Sequence, residues 1–214
     1  MCVKLKFNNS FIRLKRYENR KSFVLTFVKK EDDVLDIGCA QQAIIDGKKQ
    51  YLEKFIKDHS NSCLGIDINP VEVRKMAAKG YDVSNISIYD FNVGMKFDVI
   101  YAGEVIEHLS DLKTFLQKVR VHLKNSGVFI CDVPNAIYES IRLLLPVGDF
   151  SIYGHYPIHR KGGHVHMFHP YLIMQLLENE NFQVLEIGMI KKRNTEKMLP
   201  RILWRSIGFV ARPI

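Results

Sequence analysis

The sequence predicts an α/β chain built on a doubly wound, mostly parallel, seven-stranded sheet with helices on both faces. Three observations lead there. Short β-rich runs alternate with amphipathic stretches through the middle of the chain, an order that builds a parallel sheet covered by helices. Acids close successive runs at Asp36, Asp67 and Asp90, and open α/β sheets bind ligands beyond the carboxyl ends of their strands. A length of 214 residues with 47% hydrophobic content suits one ordinary globular domain.

The elements follow in order. Residues 1–30 form a basic N-terminal segment with a lid-like helix, and 31–214 form the single domain. Val34-Leu35-Asp36-Ile37 is the first strand, followed by an amphipathic helix from about Ala43 to Lys57. Cys63 to Asp67 is the second strand and Pro70 to Lys79 the second helix. Ile86-Ser87-Ile88 and Phe97 to Tyr101 continue the sheet. Leu109, Leu112, Phe115, Leu116, Val119 and Leu123 recur at helical spacing and make one apolar stripe. Asn125-Ser126-Gly127 should end that helix, with the strand Val128 to Cys131 after it.

Beyond Pro134 the pattern changes. An apolar segment, Ile137 to Leu145, leads into a histidine-rich loop from Tyr153 to His169. Pro170 suits the first turn of a helix carrying Leu172, Ile173, Leu176 and Leu177. Phe182 to Ile187 reads as a strand, Leu199 to Ser206 as a short basic helix and Ile207 to Val210 as the last strand.

Composition narrows the class of protein. No apolar run approaches the roughly 18 residues of a spanning helix, and charges interrupt the first 30 positions, so a cytoplasmic protein is expected. The four cysteines lack zinc spacing or a C-x-x-C pair and read as free thiols. The net charge of +8 is concentrated at the two ends, around Lys4 to Lys21 and Lys191 to Arg205, which favours anionic partners.

The acids carry the chemistry. Asp36-Ile37-Gly38 ends the first strand, and glycine there lets backbone approach a ligand. Asp67 ends the second strand, where a carboxylate can accept hydrogen bonds from both hydroxyls of a ribose. The expected ligand is a nucleoside derivative. It is not a nicotinamide dinucleotide, because no G-x-G-x-x-G cradle is present.

Val34-Leu35-Asp36-Ile37-Gly38-Cys39, Leu64-Gly65-Ile66-Asp67 and Phe97-Asp98-Val99-Ile100 followed by Gly103-Glu104-Val105-Ile106-Glu107-His108-Leu109 resemble the class I S-adenosylmethionine-dependent methyltransferases. Among them the chain is most similar to the ubiquinone O-methyltransferase and MetW-like kind, methyltransferase type 11/23-like. Val133-Pro134-Asn135 and His164-Val165-His166-Met167-Phe168 extend the match, which runs from about Tyr17 to Val210. The resemblance implies a Rossmann-like fold and S-adenosylmethionine as cofactor. It assigns Asp36 to the methionine end, the loop Gly38, Cys39, Ala40 and Gln42 beneath the cofactor, and Asp67 with Ile68 to the ribose. Asp90 and Phe91 would border the adenine, and Glu104 would face the methyl group. Where the family loop carries two further glycines, this chain has Cys39-Ala40-Gln41-Gln42. That departure keeps a non-catalytic binding module as an alternative.

On the acceptor side, a hydroxyl nucleophile needs a base, and histidine supplies one near neutral pH. The candidate catalytic residues are His108, Glu104, His164 and His166, with His155, His159 and His169 in the same loop. Glu104, Glu107 and His108 form E-x-x-E-H, which with His164 could hold a divalent metal. That string also resembles metal-dependent RNA 2′-O-methyltransferases, so RNA stands as an alternative acceptor. The favoured expectation is O-methylation of a small-molecule, glycan or lipid-linked acceptor. Leu143 to Val147 and the basic segment Pro200 to Arg205 would rest such a protein on an anionic membrane.

Overall fold

The computed structural model describes residues 4–7, 10–45, 48–138, 163–191 and 204–214. In chain order the elements are β1 (Lys4–Phe7), β2 (Ser10–Tyr17), α1 (Arg20–Leu25), β3 (Asp33–Ile37), β4 (Gln42–Ile45) and β5 (Lys48–Tyr51). Next come α2 (Glu53–His59), β6 (Ser62–Asp67), α3 (Pro70–Ala77), β7 (Val83–Asn85) and β8 (Phe97–Gly103). A 3-10 turn (Ile106–His108), α4 (Leu112–His122), β9 (Leu123–Pro134), α5 (Pro170–Asn179), β10 (Phe182–Ile190) and β11 (Ser206–Pro213) complete the set.

One nine-stranded sheet runs β1-β2-β10-β11-β9-β8-β3-β6-β7. The strands from β10 to β7 are the seven that the sequence predicts, and β2 adds to them in parallel through Ile187↔Leu14 to Ile190↔Tyr17. The strands β3, β6, β7, β8 and β9 pair in parallel. The strand β11 is antiparallel to both of its neighbours. Because β3 lies between β6 and β8, strand order reverses there, and the carboxyl ends of β3 and β8 are where sheets of this kind place a ligand crevice.

Both faces of the central strands are buried. Leu35, Ile37 and Ile100 join α4 and α5 through Phe115, Leu116, Ile173 and Leu177. Val34, Val99 and Ile130 face the other way and meet Phe23 and Val24 of α1 and Ile56 of α2. Strands covered on both faces read as continuous apolar runs, as Val34-Leu35 and Val99-Ile100 do. Phe23 seats α1 on the sheet, since its ring fills the space that a Cβ at Gly188 or Gly208 would enter. Full burial of such a ring is worth about 2–3 kcal/mol.

Helix ends follow sequence chemistry. Asn69 accepts from the N–H groups of Val71 and Glu72 ahead of Pro70 at the start of α3, and Asp111 accepts from Thr114 N–H at the start of α4. His169 caps α5 by accepting from Leu172 N–H, a structural use of one member of the histidine-rich loop.

Three sequence expectations are corrected. The stretch 43–57 is not one helix: β4 and β5 form an antiparallel hairpin from Gln42↔Tyr51 to Ile45↔Lys48, and only 53–59 is helical. The β-branched pair Ile44-Ile45 favours the hairpin. The third strand lies at 83–85 and not at 86–88, because it pairs with the last residues of β6 through Gly65↔Val83 and Asp67↔Asn85. Asn125-Ser126-Gly127 does not end a helix: α4 stops at His122, and those residues bulge within β9, where the register shifts between Phe97↔Leu123 and Val99↔Val128. The expectations for Leu143 to Val147, for His155 and His159, and for the segment 199–203 lie outside the described residues.

Candidate active site

The loop after β3 turns at Gly38, whose φ of +76° belongs to glycine and where a Cβ would stand 2.5 Å from Val105 Cγ2. Gly38 N–H donates to Ile66 O at 2.8 Å, which ties the loop to β6. Ala40 N–H and Asn69 N–H both donate to the Asp67 carboxylate, at 3.2 and 2.8 Å. Asp67 thereby stands half-buried at the rim of the crevice. Ile68 beside it is 70% exposed, an apolar surface next to a hydrogen-bonding acid.

Asp36 lies deeper, 3% exposed. Burial pushes its pKa up to about 8, against the opposing pull of Arg20. Gln42 enters β4 and its backbone faces Tyr51, so the chain leaves the loop as a hairpin. Asp90 is exposed. The Phe91 ring is fully buried and lies 4.5 Å from the His122 ring.

An arginine joins the site from outside the sheet. Arg20, the first residue of α1, places its guanidinium 2.8 Å from Glu104 Oε1 and 2.9 Å from Asp132 Oδ2. Tyr101 Oη donates to the other Asp132 oxygen at 2.6 Å. Burial works against the charge of Arg20, but Asp132, Tyr101 and Glu107 together offset it and the guanidinium pKa is raised. Glu104 holds φ at +52°, a left-handed backbone uncommon for residues other than glycine and a form of strain concentrated at functional sites. Sequence reasoning missed Arg20 because it is one of many basic residues in the N-terminal segment. The signal that could have found it is Asn19, which caps α1 through Ser22 and so sets where that helix begins.

Beneath the loop sits a second buried acid, also missed. Glu53 opens α2 at 0% exposure, and neither of its carboxyl oxygens has a hydrogen-bond partner among the described residues. Burial raises its pKa to about 9, with Asp36 adding to the effect. Burial likewise raises the Cys39 thiol, with Asp36 and Glu53 adding. At neutral pH the floor under the loop is therefore an uncharged carboxyl and an unreactive thiol.

On the far side of Glu104, the turn 106–108 presents Glu107 and His108. Val165 N–H and His166 N–H both donate to Glu107 O, at 2.8 and 3.1 Å, which clamps 163–166 against the turn. His108 Nδ1 lies 3.2 Å from Gly163 O, and the His108 and His164 rings meet edge to face at 4.8 Å. Glu107 is 1% exposed, and burial raises its pKa to about 8. The structure thus brings Glu107, His108 and His164 together. Glu104 is not in that group, since its carboxylate is engaged by Arg20. His166 is not either: its ring lies 5.7 Å from Phe168, and its buried Nε2 has no hydrogen-bond partner among the described residues. A separate cleft lined by Lys96, Lys118, Val121 and His122 flanks the start of β8, away from these side chains.

This arrangement has relatives. The chain is 27% identical over 118 residues to the ubiquinone biosynthesis O-methyltransferase of Rhodopseudomonas palustris (strain TIE-1), a match covering 52% of this chain and 44% of that protein. It is 26% identical over 106 residues to N-methyltransferase 4 of Papaver somniferum, covering 48% of this chain and 30% of the relative. The matched stretch is thus under half the length of these relatives. Among solved structures, N-methyltransferase NodS from Bradyrhizobium japonicum WM9 in complex with S-adenosyl-L-homocysteine superimposes at a TM-score of 0.60 with 15% identity, over 91% of this chain and 88% of that one. An S-adenosylmethionine-dependent methyltransferase from Mesorhizobium loti gives 0.64 with 13% identity, over 89% and 94%. At such identities the structures establish the fold alone. The family described as "Methyltransferase domain" matches residues 11–187, and the chain belongs to that family, among the class I S-adenosylmethionine-dependent methyltransferases.

Proposed function

We propose that the chain transfers the methyl group of S-adenosylmethionine to a hydroxyl of a small-molecule, glycan or lipid-linked acceptor. The observation that carries this reading is that Asp67–Ile68 and Glu104 lie at and just past the carboxyl ends of β6 and β8, the two neighbours of β3 where strand order reverses, with His108 and His164 in contact after Glu104. The sulfonium leaving group is already activated, so alignment of nucleophile, methyl and sulfur does much of the work. In this reading Asp67 accepts from the ribose hydroxyls and Ile68 lies against the base, with Asp90 at its edge. The loop from Gly38 through Cys39, Ala40 and Gln42 passes beneath.

Arg20 would meet the carboxylate of the methionine end and Asp36 the ammonium. Asp36, with its pKa raised to about 8, is mostly neutral at pH 7, and the positive charge of an incoming ammonium would lower that pKa and release the proton to solvent. Because Arg20 belongs to α1, that helix, already seated on the sheet by Phe23, would wall the methionine end. Deprotonation of the acceptor falls to His108 and His164, with His166 two residues further along the same segment and Glu104, held by Arg20, facing the methyl group.

Oxygen as the methylated atom is supported by the O-methyltransferases among the relatives, which include a malonyl-[acyl-carrier protein] O-methyltransferase of Calditerrivibrio nitroreducens, 28% identical over 127 residues, 58% of this chain and 46% of that one; N-methyltransferase 4 of Papaver somniferum makes nitrogen the competing reading. The basic ends of the chain support an anionic surface as a partner. No helix among the described residues is long and apolar enough to cross a membrane. A divalent metal beside the nucleoside cofactor is a separate proposal that rests on Glu107, His108 and His164.

The test is turnover. The protein should release S-adenosylhomocysteine when given a panel of phenolic, glycan and polyprenyl-linked alcohols, and Asp67→Ala should abolish it. Cofactor binding without release on any acceptor would favour the binding-module alternative.

A further inference from the structure

At the end of β8 opposite Glu104, a cleft of about 460 Å³ opens between the turn that leads into the strand and the last turns of α4. That volume falls in the range of small-molecule sites. Lys118, Val121 and His122 line it from α4, at the spacing that puts three side chains on one helical face. Asn92, Met95 and Lys96 line it from the turn. No carboxylate is among the described lining residues, and neither lysine has an ion-pair partner among the described residues. The histidine is an independent sign of a ligand. His122 is 7% exposed, and its ring is held against Phe91 at 4.5 Å. Its Nδ1 lies 2.8 Å from Lys118 O; a carbonyl only accepts, so Nδ1 carries the proton. Nε2 is left without a partner among the described residues, on a ring that lines the cleft. Asn92 Oδ1 accepts from Gly94 N–H at 3.4 Å, which leaves its Nδ2 as a donor.

We propose that this cleft binds a phosphate monoester carried on an apolar group. Lys96 and Lys118 supply two ammonium groups, which meet phosphate as point charges, and Asn92 adds an N–H. A carboxylate would bring one negative charge and no proton for His122 Nε2. A phosphate monoester brings about −1.5 to −2 charges at pH 7 and, in its monoanionic form, a hydroxyl that Nε2 can accept from. Met95 and Val121, 43% and 56% exposed, offer the apolar surface for the rest of the molecule. The site stands apart from methyl transfer and does not rest on that reading. Lys96 precedes β8 and Glu104 follows it, and the 7 residues of that strand hold the two ends roughly 20 Å apart.

The experiment is calorimetric titration of the full chain at low salt with phenyl phosphate, inorganic phosphate and benzoate, beside flotation with phosphatidylcholine vesicles with and without phosphatidic acid. The expected result is one site for phenyl phosphate, at least about tenfold tighter than benzoate and weaker at high salt. Lys96→Ala with Lys118→Ala should weaken it at least about tenfold. Lys96 is exposed and Lys118 half-buried, so the double variant should melt as the parent does. Flotation that needs phosphatidic acid and is lost in the double variant assigns the phosphate to a lipid headgroup; phenyl phosphate binding without flotation assigns it to a soluble ester. No response to phenyl phosphate or to phosphatidic acid overturns the site. So does binding unchanged in the double variant, or displacement of phenyl phosphate by S-adenosylhomocysteine, which would put it in the cofactor crevice.

Discussion

Arg20 and Asp132 meet at 2.9 Å across 112 positions of the chain, and the contact fastens the N-terminal helix to the carboxyl end of β9. Asp132 is fully buried, and its second oxygen is already taken by Tyr101. Removing the guanidinium leaves a buried charge without its counter-ion, a change that costs about 3–5 kcal/mol. Arg20→Ala should therefore lower the denaturation midpoint and also weaken S-adenosylhomocysteine binding at least about tenfold. Arg20→Lys keeps the charge but not the fork that spans Glu104 and Asp132, and should fall between. Denaturant titration with calorimetry on both variants checks this; an unaltered cofactor affinity in Arg20→Ala would remove Arg20 from the site.

Glu53 predicts the pH dependence of stability. Its folded pKa of about 9 lies above the ordinary value of 4.5, so the folded chain holds the proton more tightly than the unfolded one. The associated stability is fully present below about pH 4.5 and is lost as pH rises toward 9. Glu53→Gln keeps the shape and removes the titration. It should raise the melting temperature more at pH 8 than at pH 5. Equal shifts at both values would show that the carboxyl is not buried as described.

Gly65 gives a packing test. A Cβ there would stand 2.7 Å from Cys39 Sγ, 2.8 Å from Glu53 Oε2 and 2.9 Å from Val83 Cγ1. Gly65→Ala should cost about 1–3 kcal/mol by overpacking and displace the loop at Cys39. Thermal melts paired with Gly80→Ala separate crowding from backbone strain, because Gly80 has φ +83° but nothing within 4 Å of a Cβ.

The sheet was legible in the sequence because strands buried on both faces announce themselves as apolar runs. Val34-Leu35-Asp36-Ile37 and Phe97 to Tyr101 fall within β3 and β8. The hairpin at 42–51 was not, since its spacing imitates an amphipathic helix and only the pairing Ala43↔Gln50 and Ile44↔Lys49 distinguishes the two. In the candidate site, Asp36, Asp67 and Glu104 stood out because each lies at or beside the carboxyl end of a strand. Arg20 and Glu53 were not, as their significance depends on burial, which charge-rich sequence conceals. Phe91 stands beside Asp90 in sequence, and its ring is buried in the core.

The most direct test is calorimetric titration of the purified protein with S-adenosylmethionine and S-adenosylhomocysteine, repeated on Asp67→Ala. Saturable one-to-one binding of both to the intact chain is expected, with a loss of at least about tenfold in the variant, which deletes the acceptor for both ribose hydroxyls. The absence of binding to the intact protein, or equal binding to Asp67→Ala, would contradict the assignment of this crevice to the cofactor.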